Sequence, residues 1–305
     1  LRSCKMDYSP IPAVATDFHR RFDAAARSRT DRVLPFAEFM RLALYDPDVG
    51  YYRTARSRVG RARGTDFYTA SSLRDVFGVL LEAAIRQLLG DAQPDDYEFI
   101  EIGAEPGECV LDKVPHRFRA VRTIRFDDAL ELNGSAVVFS NELFDAQPFH
   151  RVAFRAGRWR ELGITRTGDK FAWTELPELT AAVARMAERL PVLSSEGYTI
   201  DLPLAAEQLT RNIAQQNWRG VFLALDYGRS WMQLTTDYAE GTGRAYAAHR
   251  QIVDLLANPG AQDLTCHVCW DWLEAALRAE RFTAITRESQ EAFFVRRATD
   301  AMQRI

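Results

Sequence analysis

Three apolar segments of the sequence are each followed by residues that can bind a ligand or accept a proton. These residues are Glu101 after the first segment, Asn141, Glu142 and Asp145 after the second, and Asp226 after the third. Carboxylates accept charge-assisted hydrogen bonds from cationic groups, and they can act as general bases. Open parallel α/β sheets bind ligands at the carboxyl ends of their strands, so we expect these groups to line one site.

A short loop with two glycines follows the first apolar segment. Gly103 and Gly107 enclose Ala104, Glu105 and Pro106. Glycines at the end of a first strand allow backbone to approach a bound nucleotide or cofactor. Glu105 brings a negative charge into the loop, and this charge repels an anionic ligand group unless a cation intervenes. The pattern predicts a nucleotide-binding loop with an altered centre.

The elements that must position these groups alternate between helices and strands. Helical spacing of apolar residues predicts two helices within 16–45, one from Ser71 or Ser72 to Gly90, and others over 176–190, 204–216 and 271–282. We predict strands over 97–102, 119–126, 135–149 and 220–228, a hairpin over 150–164 that turns at Ala156-Gly157, and a C-terminal edge hairpin from 283–289 and 292–298. Strands that alternate with helices favour an α/β protein with an open parallel sheet.

Composition excludes several classes of protein. The 305 residues are 47% hydrophobic and carry a net charge of −3, which argues against binding to nucleic acid and favours an ordinary soluble protein. No apolar run is long enough for a membrane span, and residues 1–18 lack the apolar region of a secretory signal. Four cysteines indicate a reducing, cytoplasmic protein; because Cys266 and Cys269 have no second ligand pair, we expect no metal. The arginine-rich segment 53–64 is interpreted as a solvated loop.

Several motifs then occur in one order over most of the chain, from about Phe39 to about Phe294. They are FMRLALYDPDVGYY, GTDFYTASSLRDVFG, EIGAEPG, NELFDAQP, LDYG, GRAYAAHR and DLTCHV. With these motifs the sequence resembles the MidA-like S-adenosyl-L-methionine (SAM)-dependent methyltransferases, a family that includes a mitochondrial assembly factor of respiratory complex I. The resemblance implies a Rossmann-like class I methyltransferase fold and methylation of protein arginine, with SAM as the cofactor.

The resemblance also implies a domain organisation. We expect a helical N-terminal extension with a substrate-side loop over 1–75, the first part of the Rossmann-like core over 76–155, a substrate-side insertion made of a hairpin and a helix over 156–196, and the second part of the core over 197–305. The partner is expected to be a protein. The oligomeric state stays open, with a homodimer among the options.

The roles of individual residues follow from their motif positions. The resemblance implies Glu142 and Asp145 as catalytic residues that hold a guanidinium and accept its proton. It implies cofactor-binding roles for Asp66, Glu101, Gly103, Gly107, Asp127 and Asn141, and substrate-binding roles for Asp226, Arg244, His249 and His267. Structural alternatives remain for some of them: Asn141, Asp145 and Asp226 also suit the capping of a turn, and the two histidines suit structural hydrogen bonds.

Two departures from the family pattern leave a second function open. The family has a glycine where this chain has Glu105. It also has a long helix and a strand ending in a ribose-binding acid, for which we find no counterpart in 108–122, where Pro115 interrupts any helix. Asp127 and Asp128 correspond better to the family's adenine-side loop. The alternative is a degenerate methyltransferase fold that has lost SAM and binds a protein partner. A third option is a different nucleotide ligand.

Overall fold

A computed structural model of the protein describes residues 12–53, 74–280 and 282–305. These residues form helices α1 (Pro12–Ala26), α2 (Phe36–Tyr45), α3 (Arg74–Leu89), α4 (Ala181–Ala184), α5 (Leu204–Ala214), α6 (Trp231–Thr236), α7 (Trp270–Ala279), α8 (Gln290–Arg297) and α9 (Thr299–Met302). Asp66, residues 54–64 of the arginine-rich segment, and the predicted helix start at Ser71 or Ser72 lie outside the described residues.

The same residues form fourteen strands. They are β1 (Leu34–Pro35), β2 (Glu98–Ile102), β3 (Ala120–Ile124), β4 (Gly134–Asn141), β5 (His150–Arg155), β6 (Arg158–Thr167), β7 (Lys170–Glu175), β8 (Thr199–Leu202), β9 (Trp218–Leu225), β10 (Gly228–Arg229), β11 (Arg244–Ala247), β12 (Arg250–Ile252), β13 (Asp263–Thr265) and β14 (Val268–Cys269). The helices predicted within 16–45, up to Gly90, over 204–216 and over 271–282 are present, as are the four predicted core strands.

A four-stranded parallel sheet with the order β3-β2-β4-β9 forms the centre of the fold. Ile102 at the end of β2 pairs with Ile124 on one side and with Ser140 on the other. Asn141, the last residue of β4, pairs with Leu225 at the end of β9. The carboxyl ends of all four strands therefore meet at one edge, and the predicted open parallel α/β sheet is confirmed.

Alternate residues of the sheet enter two separate apolar cores because successive side chains on a strand point to opposite faces. Phe99 packs with residues of α3 and α8 on one face. Ile100, its neighbour in the chain, packs on the other face with residues of α5 and α7. Both side chains are fully buried. The two helical layers fix the plane of the sheet and hence the place where its carboxyl edge opens.

A second sheet is antiparallel and has the strand order β1-β6-β5-β8. Strand β7 also pairs with β6. Its predicted hairpin is confirmed: Ala156 and Gly157 have φ angles of 50° and 77°, the left-handed pair that a two-residue hairpin turn requires. The sheet packs against α2 through Phe36, whose ring lies 4.7 Å from that of Trp173 on β7. The sheet takes strands from both sides of the domain bounds placed at 155 and 196; the four-part division stays a prediction.

The predicted C-terminal edge hairpin is wrong. Residues 283–289 pair with no strand, and residues 290–297 form helix α8. Ser289 caps this helix because its side chain accepts the Ala292 N–H at 3.1 Å. The ring of Phe294 meets that of Phe77 on α3 at 5.7 Å. A short apolar run does not distinguish a strand from a buried helix face, and here packing against α3 decides for the helix.

Two further segments differ from an ideal Rossmann-like fold. The helix predicted over 176–190 is short, since only Ala181–Ala184 and one 3-10 turn form between Leu176 and Leu190. The connection 103–119 between β2 and β3 contains turns and no helix, as Pro115 led us to expect. No described helix has the length and apolar character of a bilayer span.

Candidate functional site

A cavity of about 690 Å³ opens at the carboxyl edge of the parallel sheet. Its volume lies in the range of small-molecule and cofactor sites. Its walls come from the loops that follow β2, β3 and β4, with Tyr45 and Tyr52 added by the N-terminal part of the chain. The predicted residues Glu101, Gly103, Asp127, Asn141, Glu142 and Asp145 all line it. Strand-end residues far apart in sequence therefore share one site, as expected from the parallel sheet.

The glycine loop forms the floor of this cavity and is held by Glu101. The Glu101 carboxylate accepts the Val110 N–H at 2.7 Å and so fixes the far end of the loop. Burial raises the pKa of Glu101, while the Val110 N–H opposes that rise. Gly103 has a φ of 86°, and an added Cβ would lie 2.9 Å from Leu143 Cδ1. The Leu143 side chain could move away, so it is the left-handed φ that requires glycine at position 103.

The loop after β3 contributes an aromatic ring and two carboxylates. Phe126 is 54% exposed, and its ring stacks on that of Tyr45 with a centroid distance of 4.0 Å and an interplanar angle of 9°. Asp127 forms an ion pair with Arg53, and Asp128 accepts the Arg125 N–H at 2.8 Å. An exposed aromatic face beside carboxylates suits a nucleoside, whose base can stack and whose hydroxyls can donate hydrogen bonds.

Acidic side chains dominate the wall of the cavity. The basic residues among its described lining are Arg53, Lys113 and Arg125, against many more aspartates and glutamates. Such a wall favours a ligand that carries positive charge. A SAM molecule has a sulfonium and an ammonium group against one carboxylate, so the glycine loop, the exposed ring and the acidic wall fit it.

A cluster of buried and half-buried carboxylic acids follows β4 and β9. Burial, followed by the charges of Asp226 and Asp263, raises the pKa of Glu142 to about 7. The same causes, with Glu142 added, raise the pKa of Asp145 well above its usual range. Asp145 is 8% exposed, and its Oδ1 atom is buried and has no hydrogen-bond partner within the described part of the chain. The cluster therefore has unused acceptor capacity that a cationic donor would satisfy.

Asp226 contacts the backbone that carries this cluster. Its carboxylate accepts N–H groups from Leu143 at 3.2 Å, Phe144 at 2.8 Å and Tyr227 at 2.8 Å. Burial raises the pKa of Asp226 to about 7 despite these backbone donors. It is not among the described residues that line the cavity. Its contacts are those of a residue that shapes the loop carrying Glu142 and Asp145.

The other predicted substrate-binding residues lie outside the described lining of the cavity. His267 is half-buried with its ring edge against Tyr238, and burial followed by the charges of Arg229 and Arg244 lowers its pKa to about 4. Arg244 donates to the Gly243 carbonyl at 2.7 Å. His249 is exposed at the turn between β11 and β12, with a φ of 59°. Their assignment to a substrate stays a prediction, as does that of Gly107.

Several residues that line the cavity are absent from the site predicted from the sequence. They are Tyr45, Tyr52, Arg53, Phe126 and Asp263. Tyr45, Tyr52 and Asp263 stand in the motifs FMRLALYDPDVGYY and DLTCHV, which pointed to the right segments. Which of their side chains turn toward the site depends on packing between distant elements and cannot be read from the motifs.

Residues 111–286, which run from the connection after the glycine loop to beyond α7, match the family described as "Putative S-adenosyl-L-methionine-dependent methyltransferase". The chain belongs to this methyltransferase family. The predicted membership and the predicted cofactor, SAM, are thereby confirmed.

Curated relatives are distant in sequence. The chain is 23% identical to "Protein arginine methyltransferase NDUFAF7 homolog, mitochondrial" of Drosophila melanogaster, over 77% of this chain and 64% of that protein. The homologue of the same name in Caenorhabditis elegans is also 23% identical, over 82% of this chain and 70% of that protein. The chain thus spans less than two thirds of the length of the fly relative.

Solved structures establish the fold over almost the whole chain. A "likely methyl transferase from Burkholderia thailandensis bound to S-adenosyl-homocysteine" superposes with a TM-score of 0.82 at 25% identity, over 97% of this chain and 86% of that one. A second structure, of an uncharacterised protein from the same organism, gives a TM-score of 0.78 at 24% identity, over 97% of this chain and 85% of that one. The predicted Rossmann-like methyltransferase fold is confirmed.

Proposed function

We propose that this methyltransferase transfers a methyl group from SAM to an arginine side chain of a protein. The observation that carries the proposal is the pair formed by half-buried Glu142 and buried Asp145 in the cavity wall, where the Asp145 Oδ1 atom has no hydrogen-bond partner among the described residues. A guanidinium offers five N–H donors in one plane and pairs with carboxylates through parallel hydrogen bonds. The names of the curated relatives support the same acceptor.

The residues around the glycine loop would hold the cofactor. Gly103 allows close approach of backbone, Phe126 offers a stacking face, and Asp127 and Asn141 offer polar contacts along the same wall. SAM would supply a methyl group that its positively charged sulfur activates, and this sulfur would depart as a neutral thioether as the methyl carbon bonds to the acceptor nitrogen. Glu105 faces the same cavity, so its charge favours the cationic end of the cofactor over its carboxylate.

Glu142 and Asp145 would orient the acceptor and take up its proton. The nitrogen that gains the methyl group must lose a proton for the product to stay a monocation. Glu142, with a pKa of about 7, can accept this proton and return it to water near neutral pH. Asp226 would keep both carboxylates in place through the backbone of the loop between them.

The partner we propose is a protein that presents an arginine; the sequence predicts no nucleic acid as a partner. The cytoplasmic location inferred from the cysteine content stays a proposal. The names of both curated relatives place those proteins in the mitochondrion.

Titration calorimetry with SAM and with S-adenosylhomocysteine is the first test, and we expect micromolar dissociation constants. The second test incubates the protein with radiolabelled SAM and an arginine-rich peptide, and compares the wild type with Glu142→Gln and Asp145→Asn. We expect at least a hundredfold loss of methyl transfer in both variants. Glu178→Gln is the matched control because Glu178 is exposed and absent from the cavity wall. If neither nucleoside binds, the degenerate fold that captures a protein partner becomes the better description.

A further inference from the structure

We propose that Asp263 is a third acceptor-binding carboxylate, and that Tyr52 is the residue that positions it. The inference rests on the proposed function because it concerns the same acceptor site. Asp263 opens strand β13, more than a hundred residues after Glu142 and Asp145, and its side chain lines the same cavity. The residue is 5% exposed.

The side chain of Asp263 is fixed by a tyrosine from the N-terminal part of the chain. The Tyr52 hydroxyl donates to Asp263 Oδ1 at 2.8 Å. The Leu264 N–H donates to the same oxygen at 3.0 Å. These two donors set the rotamer of the carboxylate, and a buried carboxylate with a fixed rotamer has its acceptor directions defined.

A closed ring of contacts places Asp263 beside Asp145. The ring of Tyr45 stacks on that of Tyr52 at 5.4 Å, and the Tyr45 hydroxyl donates to the Ala146 carbonyl at 2.8 Å. The Cys266 N–H, three residues after Asp263, donates to the Asp145 carbonyl at 2.9 Å. The loop after β4 and the start of β13 are therefore joined both directly and through the two tyrosines.

This arrangement brings a carboxylate from a second sheet to the proposed acceptor site. Glu142 and Asp145 approach from the loop after β4, whereas Asp263 comes from a different sheet, β12-β11-β13. A guanidinium held by one carboxylate through two parallel hydrogen bonds keeps further N–H groups that need acceptors. Asp263 would accept from these groups and fix which nitrogen turns toward the methyl donor. Asp263 also contributes, after burial and Asp226, to the raised pKa of Glu142 and of Asp145, as expected of carboxylates that share one site.

The test measures acceptor binding apart from catalysis. Nα-acetyl-arginine amide is titrated into the protein saturated with S-adenosylhomocysteine. We expect Asp263→Asn to bind this probe at least tenfold more weakly than the wild type, with an affinity for S-adenosylhomocysteine within about twofold. Tyr52→Phe, which removes a single hydroxyl, should weaken the probe about threefold to fivefold. Tyr97→Phe removes a hydroxyl at the opposite end of the parallel sheet, just before β2, and should leave binding of the probe unchanged.

A kinetic measurement separates positioning from general damage. With an arginine-rich peptide as acceptor, Tyr52→Phe should raise the KM for the peptide severalfold while kcat changes less than about twofold. Asp263→Glu, which keeps the charge, should recover part of the affinity that Asp263→Asn loses. A variant that is merely less stable would change binding of S-adenosylhomocysteine as well.

Each outcome has a distinct meaning. If the wild type binds S-adenosylhomocysteine but not the arginine probe, the proposed acceptor class is overturned, and the role of Asp263 with it. If the wild type binds the probe and Asp263→Asn binds it equally well, only the role of Asp263 is overturned. Should Asp263→Asn fail to fold, Tyr52→Phe decides the question, because an unchanged affinity for the probe in that variant refutes the positioning role.

Discussion

The substitution Glu142→Gln should stabilise the fold above neutral pH while it abolishes methyl transfer. Glu142 has a pKa near 4.5 in an unfolded chain and about 7 in the folded protein, so the unfolded chain loses its proton first as the pH rises. The free energy of unfolding therefore falls between these two pKa values. At 1.36 kcal/mol per pKa unit, the penalty approaches about 3 kcal/mol at pH 8 and stays below about 1 kcal/mol at pH 5. Glutamine keeps the shape and removes this penalty.

Urea unfolding of the wild type and the variant at pH 5 and pH 8 measures the effect. We expect the variant to be more stable by up to about 3 kcal/mol at pH 8, with a difference that shrinks toward pH 5. Glu178→Gln makes the same chemical change on the exposed surface and should alter stability by less than about 0.5 kcal/mol at either pH. Equal differences between wild type and Glu142→Gln at both pH values would refute the assignment of a raised pKa to Glu142.

Three further predictions concern the supports of the site. Asp201→Asn should cost about 3–5 kcal/mol in urea unfolding, because Asp201 is 2% exposed and forms two hydrogen bonds with Arg151, whose side chain is only 12% exposed, so the change leaves a guanidinium without its carboxylate. Ser289→Ala should cost about 0.5–2 kcal/mol through loss of the cap of α8, and unchanged stability would contradict that cap. Glu101→Gln should weaken SAM binding about tenfold in calorimetry through loss of the charged hydrogen bond to the Val110 N–H, and an unchanged dissociation constant would argue against a loop held by Glu101.

The sequence predicts the parallel sheet and its functional edge because both depend on local pattern. Short apolar strands followed by acids are recognisable one at a time, and a parallel arrangement brings their ends together without further information. Glu101, Asn141, Glu142 and Asp145 are found in one cavity for this reason. The turn at Ala156-Gly157 is predicted equally well, since its geometry is set by two adjacent residues.

The remaining features depend on contacts between distant segments. Asp226 looks the same in sequence as Glu142, yet its oxygens are taken up by backbone N–H groups of the neighbouring loop. The segment 292–298 has the composition of a strand and becomes a helix because Phe294 packs against Phe77 on α3. Asp263 joins the site through a tyrosine that lies 211 positions away in the chain. No local pattern contains this information.

The energetics of the carboxylate cluster bear on the choice between an enzyme and a binding module. Asp145 is buried, Glu142 and Asp226 are half-buried, and desolvation is the largest cause of the rise in pKa of each. Carboxylic acids whose pKa is raised by desolvation destabilise the folded protein at neutral pH. Apolar or amide side chains of similar volume would remove that cost. A fold that served only as a scaffold would gain stability by replacing them. The cationic acceptor that we propose would offset the same cost by supplying donors to this cluster, in which Asp145 Oδ1 has no partner among the residues that the structure describes. The cluster is therefore better explained by a bound cation than by the stability of the fold.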